Sequence, residues 1–118
     1  MTDRDDLFDL ESDDGAARTE YERLRQGLHE AISDFADEEN ISHAYLALLL
    51  LDLGVTSRMV DYVLSVEKPS GSGLKLELDR FRREIDDFLR SSKKSAEEFV
   101  AASKKALAEA ESEAPDAA

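Results

Sequence analysis

The sequence predicts an all-α fold: a small bundle of three short helices, then a long C-terminal helix, with a disordered acidic N-terminus. Apolar residues recur at intervals of three and four, which is the period of an amphipathic helix. Ser and Thr residues stand just before several of these runs, where helix caps are expected. The most apolar run, 44–51, contains no β-branched residue, so a helix is favoured there over a buried strand.

The composition sets limits on size and location. With 118 residues, the chain has room for one domain. The longest apolar run ends at Asp52, well short of the roughly 18 residues that span a membrane. The acidic N-terminus lacks the basic start of a secretory signal. We therefore expect a cytoplasmic protein without a transmembrane segment.

Charge is unevenly distributed along a chain whose net charge is −13. Residues 1–17 carry seven acids and one base, and residues 19–40 carry seven acids and two bases. Residues 75–105 are mixed, with nine bases and seven acids. An acidic field repels nucleic-acid phosphate and promotes solubility, although adaptation to a salt-loving host gives the same composition.

The first 17 residues are predicted to be a disordered acidic tail, because they offer little to bury. Only Leu7, Phe8 and Leu10 are large and apolar. They form either part of a solvated tail or a short motif that binds a partner's groove.

Residues 18–68 are predicted to form a three-helix unit. The first helix begins with a capping box, Thr19 with Glu22, and frays by about Asp37, where acids oppose the helix dipole. Its apolar stripe consists of Tyr21, Leu24, Leu28, Ala31, Ile32 and Phe35.

Two further short helices complete the predicted unit. Ser42 caps the second helix, which ends at Gly54. Thr56 caps the third, which continues to about Val66 and stops before Pro69. The second helix is apolar nearly all round, which is typical of a core helix or one that contacts another subunit.

Residues 69–73 are predicted to be a flexible Pro/Gly/Ser joint, and residues 74–111 a long amphipathic helix, followed by a frayed tail at 112–118. A single straight helix of that length would extend about 55 Å. That exceeds the ~13 Å radius of gyration of a compact domain, so its far half would be exposed. The helix either pairs with a second copy or breaks near Ser95, which forms a capping box with Glu98.

No catalytic, cofactor-binding or metal site is predicted. Paired carboxylates are adjacent in sequence, so on a helix they diverge and do not share a proton. The two histidines, His29 and His43, lack a second strong ligand at helical spacing. The absence of cysteine excludes thiolate chemistry. We therefore expect a protein that is not an enzyme.

The predicted function is protein–protein association, through a homodimer or a partner's helix. The long helix carries large apolar residues at heptad spacing, flanked by charges of both signs. Part of this seam must cover the second helix, and the sequence does not divide the two roles. The predicted association surface consists of Leu78, Phe81, Ile85, Phe88, Phe99, Val100 and Leu107.

One alternative is a transcriptional regulator, because residues 46–66 resemble the helix-turn-helix family. Gly54 would lie in the turn, and the resemblance implies that a second helix faces the major groove. Leu50 departs from the pattern, which has a small residue there, and positive charge is scarce. The residues implied in DNA contact are Thr56, Ser57, Arg58 and Tyr62.

A further alternative is a protein whose amphipathic C-terminal helix coats a lipid or polymer surface. Its polar face has too few cations to favour an anionic membrane.

Overall fold

The computed structural model describes residues 15–113, which form four helices and no strand, and the predicted all-α fold is confirmed. The predicted tail at 1–17 lies mostly outside the described residues, as does most of the tail at 112–118. The described residues divide into two compact units, up to Leu53 and from Gly54 onward, and the boundary falls within one helix. The helices are α1 (Gly15–Glu39), α2 (His43–Ser65), α3 (Gly71–Lys94) and α4 (Ala96–Glu113).

Helix α1 begins at Gly15, so the predicted start at Thr19 is wrong. The Thr19 hydroxyl donates to the Gly15 carbonyl oxygen at 2.7 Å, four residues earlier. This is the bond that a threonine makes inside a helix and not at its cap.

The end of α1 is held by a Schellman motif around Asn40, and α1 does not fray at Asp37 as predicted. Asn40 has φ of 53°, the left-handed conformation that asparagine tolerates better than most residues. Its N–H donates to the Asp37 carbonyl at 3.3 Å, and that of Ile41 to the Ala36 carbonyl at 3.2 Å. These bonds satisfy carbonyls that the dipole would otherwise leave exposed, and Ala36 is buried beneath them.

Helix α2 begins where the sequence predicts, but it ends later than predicted. The N–H of Tyr45 donates to the Ser42 hydroxyl at 3.1 Å, which confirms Ser42 as the cap. The helix then continues through Gly54 and Thr56 to Ser65, so the predicted stop and second cap are wrong. A glycine inside a helix costs only about 1 kcal/mol relative to alanine, too little to break a helix supported on both sides.

The second unit is built on an antiparallel hairpin of the end of α2 and the start of α3. Tyr62 contacts the first turn of α3, and Arg58, one turn earlier, reaches Glu77 and Glu84 further along it. Residues three and four apart are half-buried on both helices, as expected where two helices pack. They are Val55, Arg58, Met59 and Tyr62 on α2, and Leu74, Leu78, Phe81, Glu84 and Ile85 on α3.

The predicted flexible joint is shorter than expected, because Gly71–Gly73 form the first turn of α3. The Ser70 hydroxyl accepts from the Gly73 N–H at 3.0 Å and caps the helix. The Ser70 N–H in turn donates to the Tyr62 hydroxyl at 3.2 Å. A Cβ at position 73 would collide with the Tyr62 hydroxyl, so the first turn of α3 needs glycine at this position.

Helices α3 and α4 are separated by a single residue, Ser95, with φ −102° and ψ 11°. Its hydroxyl bonds to the carbonyls of Ser91 and Ser92 at 3.3 and 3.4 Å. The Phe99 N–H still donates to the Ser95 carbonyl at 2.9 Å. The stretch that the sequence leaves as one helix or two is therefore two helices divided at Ser95, although the Ser95 hydroxyl bonds back into α3 and does not form the predicted capping box with Glu98.

We expect Asn40→Ala to lower the free energy of unfolding by about 1 kcal/mol, since a Cβ-bearing residue without the asparagine amide is disfavoured in the left-handed region. Asn40→Gly is the matched control and should retain or raise stability. Urea unfolding followed by circular dichroism measures both. Equal losses in the two variants would show that the conformation at residue 40 does not matter.

We expect Gly73→Ala to destabilise the chain by about 1–2 kcal/mol, because the added methyl group overpacks against the Tyr62 hydroxyl. In a Tyr62→Phe background the colliding oxygen is gone, and the same change should cost at least about 1 kcal/mol less. A double-mutant cycle of urea midpoints measures the difference. Additive effects would contradict the contact.

Candidate protein association surfaces

The structure divides the predicted association surface into two parts. Leu78, Phe81 and Ile85 are half-buried on the α3 face that meets α2. They are therefore engaged within their own chain and hold the hairpin together. Phe88, further along α3, exposes 56% of its surface.

The remaining predicted residues lie on α4, where no residue is buried. Phe99 exposes 72% of its surface, and Val100 and Leu107 expose half or more. At 100° per residue these three side chains occupy one side of the helix, together with Ala96 and Ala110. Helix α4 therefore presents a narrow apolar stripe for which the described residues provide no cover.

Arg58 is the polar centre of the second unit, and sequence reasoning assigned it only a DNA-contact role. Its guanidinium donates two hydrogen bonds to Glu84, at 2.6 and 3.1 Å, and one to Glu77 at 3.2 Å. The guanidinium carbon lies 4.8 Å from the centre of the Phe81 ring. The Arg58, Glu77 and Glu84 side chains expose 15%, 11% and 16% of their surfaces. This Arg58 cluster, comprising Arg58, Glu77, Phe81 and Glu84, combines a fork-like ion pair with a cation–π contact.

The Arg58 side chain stays positively charged at any ordinary pH. The hydrogen bond to Glu84 raises the pKa of Arg58 above its usual value, and burial offsets part of the rise. A raised pKa stabilises the fold below the unfolded-state pKa, and this contribution is lost only as pH rises through the folded-state pKa. For a guanidinium that window lies in strongly alkaline solution.

The structure removes the geometric basis of the helix-turn-helix resemblance. Residues 46–65 lie in the single helix α2, with no turn at Gly54. Arg58 is committed to the cluster, and the Tyr62 hydroxyl accepts from Ser70. Thr56 and Ser57 are exposed, in the middle of the helix and not at the start of a recognition helix.

In the first unit, α1 carries a second apolar stripe. Leu24 and Leu28 expose 56% and 63% of their surfaces, and Phe35 exposes 51%. Ile32 and Ala36, on the neighbouring side of α1, are half-buried and buried. The helix thus packs with one side and leaves another apolar side open.

A groove of about 530 Å³ runs between α1 and the start of α2. Both histidines line it, but among residues 15–113 no group of three His, Cys, Asp or Glu side chains could hold a metal ion. Its apolar lining includes Leu28, Ile32, Ala36, Ile41, Leu46 and Leu50.

Comparison of the chain with protein-family models, with curated proteins and with solved structures finds no match. Within the described part of the chain, no helix is both long and apolar enough to cross a membrane.

We expect Arg58→Ala to lower the free energy of unfolding by about 3 kcal/mol, because it removes the forked ion pair of the largely buried Glu84 and one ion pair of Glu77, which also pairs with Arg80 at 3.5 Å. The matched control is the triple variant Arg58→Met, Glu77→Leu, Glu84→Leu, which replaces the charges with apolar side chains. Its stability should equal or exceed that of the parent chain. Equal stability of Arg58→Ala and the parent in urea would show that the cluster does not hold the hairpin.

Proposed function

We propose that this chain is a non-enzymatic association module that acts by packing exposed apolar helix faces against another polypeptide, in the first instance a second copy of itself. One observation carries the proposal. Among the described residues, Ala36 is the one buried hydrophobic residue, whereas 19 large hydrophobic residues are exposed. Exposed apolar surface on this scale is typical of a protein–protein interface.

The apolar stripe of α4, named here the α4 stripe, favours a helix as the partner. Phe99, Val100 and Leu107 share one side of a formed helix, the arrangement by which an amphipathic helix lies against another helix. Phe99 is the largest and most exposed of the three, so we propose it as the central contact. Aromatic residues at the centre of an interface commonly dominate its affinity.

A second copy is the occupant that the chain itself provides. Each copy carries the same stripe, and most soluble oligomers are symmetric assemblies of identical chains. The net charge of −13 opposes that contact, and α4 itself carries five acids against two bases, Lys104 and Lys105.

Neither other function has an observation in its favour. The second helix of the helix-turn-helix resemblance does not exist as a separate element. A surface coat would need a cationic polar face, and the charges of α4 are mixed.

We expect Phe99→Asp to raise the dissociation constant of self-association about thirtyfold, equivalent to the roughly 2 kcal/mol of a central aromatic contact. Ala101→Asp is the matched control: it makes the same charge change on the opposite side of α4 and should leave the constant unchanged. Light scattering behind a sizing column gives the mass across a concentration series, and circular dichroism checks helix content.

A full chain that stays monomeric at every concentration would overturn the proposed self-association. An assembly that Phe99→Asp and Ala101→Asp disturb equally would overturn the role of the α4 stripe.

A further inference from the structure

The exposed stripe of α1, named here the α1 stripe, follows a heptad pattern. It consists of Tyr21, Leu24, Leu28, Ala31 and Phe35, spaced three, four, three and four residues apart. All five are exposed, although they lie within one formed helix. This spacing is the signature of a helix that pairs along its length with another helix.

The chain's own packing uses a different side of α1. Ile32 and Ala36, which are half-buried and buried, project about 60° and about 100° away from the centre of the α1 stripe on a 100° helical wheel. The groove beside α2 touches the stripe at Leu28 alone. Apart from Leu28, the α1 stripe therefore lies outside the groove between α1 and α2, although Arg25 and Ile32, which flank the stripe, line that groove.

The charged residues that flank the α1 stripe favour one relative orientation of two paired α1 helices. With Tyr21, Leu28 and Phe35 at a positions, Glu20 occupies a g position and Arg25 an e position. In a parallel pair, g of one helix faces e of the next heptad in its partner, so Glu20 faces the second copy's Arg25, and the reverse. Glu20 pairs with Arg23 in the described chain, but both side chains are exposed and that bond contributes little.

An antiparallel pair gives the opposite result. With Tyr21 set against Ala31 of the second copy, Glu20 would face Asp34, and the two Arg25 side chains would face each other. Both contacts join like charges and are unfavourable. A parallel pair has one such conflict, Asp34 against Glu39, at the end of the stripe where α1 is closing into its Schellman turn.

We infer that α1 pairs in parallel with α1 of a second copy of this chain through the α1 stripe, with reciprocal Glu20–Arg25 ion pairs fixing the orientation. This inference rests on the proposed function, since it names one contact of the self-associated form. It leaves the α4 stripe of each copy available for a further contact, so assemblies larger than a dimer are allowed.

The test uses disulfide formation, because the chain has no native cysteine to interfere. In a parallel pair the same residue of each copy meets at a d position, within the 4.4–6.8 Å Cα separation that a disulfide needs. Leu24→Cys should therefore form covalent dimers under mild oxidation, at least tenfold faster than Glu30→Cys on the outer side of α1. Ala31→Cys, also at d, repeats the test without removing a large apolar side chain.

Charge exchange tests the orientation separately. Glu20→Arg and Arg25→Glu should each weaken the α1 contact, and an equimolar mixture of the two should restore disulfide formation at Leu24→Cys. In the mixed pair every facing charge is again opposite in sign. Slow, equal crosslinking of Leu24→Cys, Ala31→Cys and Glu30→Cys in a chain that light scattering shows to be associated would overturn the α1 contact but not the proposed function. A chain that is monomeric throughout would overturn both.

Discussion

The second unit depends on one guanidinium held between two carboxylates and an aromatic ring. Arg58 of α2 meets Glu77, Glu84 and Phe81 of α3, and Glu77 also pairs with the exposed Arg80 of its own helix. A leucine at this position could pack against Phe81 in several registers, whereas a forked ion pair accepts one. The cluster therefore explains why two weakly buried helices align with Tyr62 beside the first turn of α3.

Local hydrogen-bonding groups define the ends of the helices to a greater extent than core packing does. Ser42 and Ser70 each cap the start of a helix with a side-chain hydroxyl, and Asn40 closes the end of α1 with its backbone conformation. A hydroxyl cap of this kind contributes about 0.5–2 kcal/mol, which matters where the described helices bury so little. The ends of the helices are thus well defined, whereas few side chains of the described helices are buried.

The sequence predicted what depends on neighbouring residues. The helical class and the cap at Ser42 follow from patterns within a few positions, whereas the break at Ser95 is one of two alternatives that the sequence leaves open. Gly54 was misread as a stop, because a glycine ends a helix only when the chain beyond it cannot continue, and the residues after it support a helix. The role of Arg58 was missed, since its partners lie 19 and 26 residues away. The one available signal was two acids, Glu77 and Glu84, at heptad spacing beside the Phe81 seam.

The scarcity of buried apolar surface has a consequence for the amount of this protein in a cell. When association supplies much of the free energy of folding, stability rises with the concentration of the chain itself. A newly made chain at low abundance spends more time open and is cleared by proteases, whereas an abundant one persists. The amount of such a protein would rise more than proportionally with its rate of synthesis. The reason is that other copies of the chain would cover the apolar helix faces that a single copy leaves exposed.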